Sequence, residues 1–191
     1  MLLDHLKIER AHLVGLSLGG RIAVDFALEH PDRVLKLIPV APGLSGYDFN
    51  AEPEKKCTQD IREAYMAADF EKAAEVFLAG WTVGPKRKVE DVDEAFRSRV
   101  LSIIRENIKP GLDGGYMVEA DPPALGRLAE IRVPTMVVIG NLDMPGILDI
   151  AGRIEKEVAG SKKVVIKGAA HTVNMEKPEK FNSVVLKFLE K

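Results

Sequence analysis

A strand, a glycine-rich turn and a helix follow one another near the start of the chain, and this arrangement constrains the fold most. The apolar run 11–16 predicts a strand buried on both faces, as in a parallel sheet that is covered by helices. The spacing of apolar residues predicts a helix over 18–29, and a second apolar run predicts a strand over 34–40. Together they form a βαβ unit, which places the two strands side by side and parallel.

The same alternation of strand and helix returns in the last third of the chain. The segments "VPTMVVIG" (133–140) and "KKVVIKG" (162–168) predict two further strands. Helices are predicted over about 147–159 and 178–189. The sequence therefore predicts an α/β protein with an open parallel sheet of about four strands and flanking helices.

The middle of the chain carries helical patterns and no convincing strand. Apolar residues recur at helical spacing over 69–81 and 92–107, and glycine- and proline-rich stretches separate these segments. We interpret 44–125 as a helical cap inserted into a core that is formed by 1–43 and 126–191.

Composition narrows the class of protein. A formal net charge of −2 provides no electrostatic argument for binding nucleic acid or an anionic membrane, and we predict neither partner. The chain has no apolar run long enough to cross a bilayer.

Cys57 is the only cysteine, which excludes an intrachain disulfide and favours a cytoplasmic protein. The charged residues around Cys57 predict that its thiol lies at the surface. No metal-ligand spacing or nucleotide-binding loop is evident, and we predict no cofactor and no metal.

Chemistry in open parallel sheets gathers beyond the carboxyl ends of the strands. The first such position holds the segment "GLSLG" (15–19), which matches the pattern G-x-S-x-G on a strand-to-helix turn. Small residues on either side let the backbone turn sharply and project the Ser17 hydroxyl above the sheet, where the helix N-terminus favours an oxyanion. The alternative is a glycine-rich turn of a nucleotide-binding protein, although neither dinucleotide nor P-loop patterns fit.

A serine nucleophile needs a base, and the base needs an orienting acid. His171, in "GAAHTVN", is the one histidine that follows a strand downstream of Ser17. Asp143 follows the third predicted strand, and Asp149 is a weaker competitor on the next helix. A surface histidine and a turn-forming aspartate are the alternative interpretations. Along the chain these residues follow in the order Ser17, Asp143, His171, which is the order of nucleophile, acid and base expected after a G-x-S-x-G turn.

The chain resembles the α/β-hydrolase superfamily, in particular its small capped bacterial esterases and lactonase-like members. Four segments carry the resemblance: "HLVGLSLGG", "HPDRVLKLIPVAP", "VPTMVVIGNLD" and "GAAHTVNMEKPEKFN". The resemblance implies that Ser17 is the nucleophile, Asp143 the acid and His171 the general base. It further implies that the backbone N–H of Leu18 is an oxyanion donor, and that 44–125 is a cap that lies over the site and selects substrates.

We therefore expect hydrolysis of a carboxylic ester or lactone of a small, largely apolar substrate through an acyl-enzyme. C–C bond hydrolases and perhydrolase-like enzymes of the same fold are alternatives, as is a catalytically impaired fragment or binding module. Leu44, Trp81 and Val173 are predicted from their positions to line the substrate pocket. For Trp81, packing within the cap is the alternative.

The start of the chain departs from the family pattern. In the family, several strands and the loop with the second oxyanion donor precede the strand that carries the nucleophile, whereas "MLLDHLKIER" precedes it here. We expect the segment Ala11–Leu16 to be an exposed sheet edge, open to pairing in a homodimer or with a missing N-terminal segment. Three explanations fit: Met1 is not the natural start, another polypeptide or a second copy completes the site, or the chain is a natural short form that has lost activity.

Overall fold

Four parallel strands form the sheet of the protein, whose structure is a computed structural model that describes residues 2–108 and 119–190. The strands lie side by side in chain order: β1 (Ala11–Leu16), β2 (Val34–Val40), β3 (Met136–Gly140) and β4 (Lys162–Ile166). The predicted open parallel α/β sheet is confirmed. β3 and β4 are shorter than predicted, and β1 and β2 have the predicted bounds.

Helices flank the sheet and fill the middle of the chain. They are α1 (Leu2–His5), α2 (Leu18–Glu29), α3 (Glu52–Met66), α4 (Phe70–Phe77), α5 (Glu94–Asn107), α6 (Pro145–Glu157), α7 (Val173–Glu176) and α8 (Pro178–Leu189). A π-helix spans Leu78–Val83, and 3₁₀ turns span Pro31–Arg33, Val89–Asp91 and Leu128–Glu130. In the part of the chain that the structure describes, none of the helices combines the length and apolar character needed to cross a bilayer.

The central strands are buried on both faces of the sheet. Side chains alternate along each strand, so Leu37 and Val137 enter one core while Ile38 and Val138 enter the other. The first core also contains apolar residues of α2 and α6, and the second contains Val185 of α8. Burial on both faces explains why these strands read as continuous apolar runs in the sequence.

Strand β1 lies at the edge of the sheet. It pairs with β2 along its length, and in the described residues its other edge has no strand partner. Several large apolar side chains are exposed in this part of the chain, in α1, β1, α2 and the segment between α1 and β1: Leu2, Leu6, Ile8, Val14, Leu18 and Ile22. Pairing of this edge with a second copy or a further segment stays a prediction.

Helix α3 was not predicted as an element, because its buried side is not an apolar stripe. Its buried residues are Glu54, Cys57 and Ala64. The Glu54 carboxylate accepts a hydrogen bond of 2.5 Å from the backbone N–H of Gly146 in the first turn of α6, where a helix favours negative charge. A charged residue thus occupies a position that an amphipathic pattern assigns to an apolar one.

The prediction of a surface thiol at Cys57 is wrong. Its side chain is buried, and a Cβ added at Gly80 would lie 2.3 Å from its Sγ atom. The π-helix therefore packs directly on this side of α3. Burial raises the pKa of the Cys57 thiol to about 11.

The chain leaves the core and returns to it at neighbouring points. The buried Ser45 hydroxyl donates to the Asp25 carboxylate (2.6 Å) in α2 and accepts from the N–H of Ala124 (2.7 Å). The Ser45 carbonyl accepts from the N–H of Leu125 (3.1 Å). These bonds join the two ends of 44–125, which we retain as the proposed cap.

Candidate active site

Ser17 occupies a strained turn between β1 and α2. Its φ of 55° and ψ of −113° lie in a region that non-glycine residues rarely adopt. Its N–H donates to the Val40 carbonyl (2.9 Å), and its carbonyl accepts from the N–H groups of Arg21 (3.0 Å) and Gly43 (3.1 Å). Backbone hydrogen bonds on both sides of the residue therefore hold the strained conformation that the G-x-S-x-G pattern predicts.

Gly15 and Gly20 are the two glycines near Ser17 at which a side chain would clash. A Cβ at Gly15 would lie 2.1 Å from the carbonyl oxygen of Gly19, and one at Gly20 would lie 2.8 Å from the Cβ of Pro42. A Cβ at Gly19 would meet nothing within 4 Å. The second glycine of the pattern thus has space for a side chain, while the residue after it packs against the turn that follows β2.

Asp143 and His171 form a buried pair at the ends of β3 and β4. His171 Nδ1 lies 3.2 Å from Oδ1 and 3.1 Å from Oδ2 of Asp143, and both side chains are almost inaccessible to solvent. Asp143 Oδ1 also accepts from the N–H of Met144 (2.8 Å). Because a carboxylate only accepts, the pair favours a proton on Nδ1 and leaves Nε2 as the acceptor of the ring.

Contacts between the two loops hold this pair in place. The N–H of Leu142 donates to the Ala169 carbonyl (3.0 Å), and the Asn141 side chain accepts from the N–H of Gly168 (2.7 Å). A Cβ at Gly140 would lie 2.2 Å from the Ala169 carbonyl oxygen. No sequence pattern predicts these contacts; the glycine at the end of β3 is the one sign of close backbone approach.

The competitor Asp149 faces other partners. Its exposed carboxylate accepts from Arg153 (2.8 Å) and from the Tyr47 hydroxyl (3.0 Å). The hydrogen bond from Arg153 is the main cause that holds the pKa of Asp149 below its ordinary value. In the described part of the chain it makes no hydrogen bond to His171, so the geometry favours Asp143 as the partner of the imidazole.

Trp81 lies against the imidazole. The two ring centroids are 4.8 Å apart, and the backbone N–H of His171 donates to the Trp81 backbone carbonyl (3.4 Å). The predicted continuous helix over 69–81 ends instead at Phe77, and the π-helix that follows carries Trp81. Single π turns inside helices often occur at functional sites.

The other predicted pocket residues are core residues. Leu44 packs in the first apolar core and Val173 in the second, and both are buried. A cavity of 460 Å³ lies between α3, the π-helix and Met144, and neither Ser17 nor His171 lines it. The pocket-lining roles of Leu44, Trp81 and Val173 stay predictions.

Ser17 and Leu18 complete the set of predicted site residues. Ser17 follows β1 at the carboxyl edge of the sheet, where the Asp143–His171 pair also lies, and it makes no hydrogen bond to His171 in the described structure. Catalytic hydrogen bonds in unliganded enzymes are often long and tighten when substrate binds.

Leu18 is the first residue of α2, so its N–H has no acceptor within the helix. Among the described residues, no group of three or more His, Cys, Asp or Glu side chains could hold a metal ion.

Comparison with known proteins identifies the family. The model of the α/β-hydrolase fold family matches residues 1–178. A pimeloyl-(acyl-carrier protein) methyl ester esterase of Pectobacterium atrosepticum is 32% identical over 95% of this chain and 71% of its own length. The chain therefore belongs to the α/β-hydrolase fold family, as the sequence predicted.

Further relatives agree with this assignment. The 2-hydroxy-6-oxo-6-phenylhexa-2,4-dienoate hydrolase of Comamonas testosteroni is 30% identical, over 98% of this chain and 65% of its own length. The crystal structure of a hydrolase from Pseudomonas aeruginosa superimposes with a TM-score of 0.74 at 27% identity, covering 100% of this chain and 68% of the other. The chain thus spans about two thirds of the length of these proteins.

Proposed function

We propose that this chain is a serine hydrolase that cleaves a carboxylic ester or lactone of a small, largely apolar substrate. The observation that carries the proposal is the strained Ser17 turn at the same sheet edge as the buried Asp143–His171 pair. A strained serine followed along the chain by an acid and then a histidine is the arrangement of α/β-hydrolase nucleophiles.

In the proposed reaction, His171 acts as the general base. Its Nε2 removes the proton from the Ser17 hydroxyl as Oγ attacks the substrate carbonyl carbon. Asp143 holds the imidazole through Nδ1 and stabilises the imidazolium that forms. The tetrahedral intermediate collapses to an acyl-enzyme when His171 returns the proton to the leaving alcohol. His171 then activates a water molecule, which releases the acid and restores Ser17.

The oxyanion of the tetrahedral intermediate needs donors that are already in place. The free N–H of Leu18, at the N-terminus of α2, supplies one donor directly beside Ser17. The dipole of α2 adds positive potential at this position. One such donor typically contributes about 10²- to 10³-fold to the rate.

The surroundings of the imidazole favour an apolar substrate. Trp81 covers one side of the His171 ring, and the apolar residues Phe49 and Phe77 extend the aromatic surface at centroid distances of 6.4 Å from Trp81. We assign these three aromatic residues to the substrate side of the proposed cap 44–125, and we keep Leu44 and Val173 as proposed pocket residues. The esterase relative supports ester cleavage, whereas the dienoate hydrolase relative favours C–C bond hydrolysis as the second candidate.

The test is a Ser17→Ala variant assayed with p-nitrophenyl acetate and with a fluorophosphonate probe. We expect kcat to fall by about 10⁶-fold and labelling to disappear, because the nucleophile is removed. Ser98→Ala is the matched control, since Ser98 is an exposed serine on α5. Equal hydrolysis by the folded Ser17→Ala variant would refute the assignment.

A substrate panel separates the two candidates. Short esters, lactones and ring-cleavage diketones are compared by kcat/KM in the unaltered protein. Preference for esters or lactones supports the proposal, and preference for the diketone supports the C–C hydrolase. A folded protein that turns over none of them and resists the fluorophosphonate is a binding module or an impaired fragment.

A further inference from the structure

The loop after the π-helix anchors a mostly buried arginine. Arg87 Nε donates to the Val83 carbonyl (2.8 Å), and Nη2 donates to the Thr82 carbonyl (3.3 Å). The side chain of Arg87 is 13% exposed. The last carbonyls of a helix lack partners within the helix and attract positive charge, so Arg87 completes the C-terminal end of the π-helix.

Glu176, the last residue of α7, receives this arginine. Its Oε1 accepts from Arg87 Nη1 (2.5 Å), and its Oε2 accepts from Nη2 (3.3 Å). The same Oε2 accepts from the backbone N–H of Ala170 (3.0 Å), and the Glu176 side chain is 7% exposed. One carboxylate therefore binds both the cation beyond the π-helix and the residue that precedes His171.

The two residues of this ion pair bind the two segments that contact each other at His171. Glu176 fixes the amide of Ala170, while Arg87 binds the two carbonyls that follow Trp81 along the chain. The Trp81 ring contacts the His171 ring, and the Trp81 backbone carbonyl accepts from the backbone N–H of His171. The ion pair thus closes a ring of contacts that runs from the π-helix to the loop after β4 and back through His171.

Gly84 shows how closely these segments approach. It has a positive φ of 86°, and a Cβ there would lie 2.4 Å from the carbonyl oxygen of Leu142 and 3.0 Å from the Cβ of Ala170. The turn that leads to Arg87 therefore packs on both loops that carry the Asp143–His171 pair.

We propose that Arg87 and Glu176 are positioning residues that clamp the His171 loop against the π-helix and so set the orientation of the imidazole. The proposal rests on the proposed function for its effect on rate, and on geometry alone for its effect on His171. Neither residue needs to touch the substrate, because they act through the amide of Ala170 and the backbone around Trp81.

Breaking the clamp is expected to affect chemistry more than binding. Removal of one partner leaves the other as a buried charge without compensation, so the loop must shift to let water reach it. A misplacement of about 1 Å at a catalytic group can cost about 10²-fold in rate. A general base acts on the chemical steps, so the loss should appear in kcat while KM changes little.

The test compares Arg87→Met and Glu176→Gln with control variants at nearby exposed positions. Lys86→Met and Glu179→Gln remove exposed charges that lie near the pair in sequence. With p-nitrophenyl acetate we expect the two clamp variants to lose about 10- to 100-fold in kcat with KM within about threefold, and the controls to match the unaltered protein. Arg87→Lys, which keeps the charge without the planar fork, should recover part of the loss.

Two further measurements do not depend on activity. Trp81 is the only tryptophan, so its fluorescence reports on the imidazole packed against it, and hydrogen exchange at the Ala170 amide reports on the bond to Glu176. We expect the clamp variants to change the emission and to exchange Ala170 faster than the control variants do. If the unaltered protein hydrolyses no ester, the proposed function fails, and these two signals still decide whether the clamp exists.

Other results would overturn the positioning role of Arg87 and Glu176. Clamp variants that keep the unaltered emission, Ala170 exchange and kcat overturn the proposal, as does a loss confined to KM. If Arg87→Met does not fold, Arg87→Lys and the near-isosteric Glu176→Gln answer the same question with smaller changes. A fall in kcat with unchanged emission and unchanged Ala170 exchange also counts against a positioning role.

Discussion

The imidazole of His171 and the carboxylate of Asp143 are paired in the interior, with Nδ1 3.2 Å and 3.1 Å from the two oxygens. The two residues come from loops after different strands, and the pair is buried where β3 and β4 end. Burial strengthens such a contact because little solvent screens it. The orientation of the imidazole is therefore determined by the acid on one side and by Trp81 on the other.

Replacement of the acid should impair the reaction without removing the fold. Asp143→Asn keeps the shape of the side chain but favours the wrong tautomer of His171, and we expect kcat to fall by about 10⁴-fold. Asp149→Asn is the control, since Asp149 binds Arg153 and Tyr47, and should leave kcat nearly unchanged. Steady-state hydrolysis of p-nitrophenyl acetate measures both. A larger loss for Asp149→Asn would reverse the assignment of the acid.

The glycines around Ser17 should respond differently to substitution. Gly15→Ala places a Cβ 2.1 Å from the Gly19 carbonyl oxygen, and we expect a loss of about 1–3 kcal/mol or more in the free energy of unfolding. Gly19→Ala has open space and lies in α2, so a gain of about 0.5–1 kcal/mol is expected. Urea denaturation measures both values. Equal destabilisation by the two variants would contradict the described turn.

The base of the proposed cap should be sensitive to one hydroxyl. Ser45→Ala leaves the buried N–H of Ala124 and an oxygen of Asp25 without this partner, which should lower the free energy of unfolding by about 2–3 kcal/mol. Ser98→Ala, at an exposed position, should stay within about 0.5 kcal/mol of the unaltered protein. Denaturant titration of the two variants gives the comparison. Identical midpoints would show that the Ser45 bonds contribute little.

The Cys57 thiol should be inert in the folded protein. Burial raises its pKa to about 11, so almost no thiolate exists at about pH 8 and access is restricted. We expect slow reaction with DTNB that becomes fast in denaturant, and no reaction in Cys57→Ala. Because the pKa is raised on folding, the thiol's contribution to stability is complete below the ordinary thiol pKa and is lost as pH rises through about 11. Rapid modification of the native protein at neutral pH would place Cys57 on the surface instead.

Local sequence signals predicted much of the fold. The bounds of β1, α2, β2 and α8 agree with the prediction, because their apolar periodicity and their glycine and proline boundaries are properties of neighbouring residues. Helix α3 was not predicted, because its burial depends on residues that are distant in the chain. Its buried Glu54 is stabilised by the first turn of α6, a partner that lies 92 positions away in the chain.

Some residues of the candidate site could likewise be predicted from the sequence, and others could not. Ser17, Asp143 and His171 could be selected from the sequence because parallel strands bring their carboxyl ends to one edge, so a residue just after a strand has a predictable place. The need for Gly20, the burial of Cys57 and the link between Arg87 and Glu176 could not be selected in this way.

The sequence by itself determined the order of the elements, the parallel sheet and the residue types available for chemistry at its edge. Tertiary structure decided which loops pack over that edge, and hence that Asp143 rather than Asp149 contacts His171 and that Trp81 covers the ring. The physical reason is distance along the chain. Hydrogen-bond partners such as Arg87 and Glu176 are 89 positions apart, and close packing of the folded loops brings them together where no local pattern records the contact.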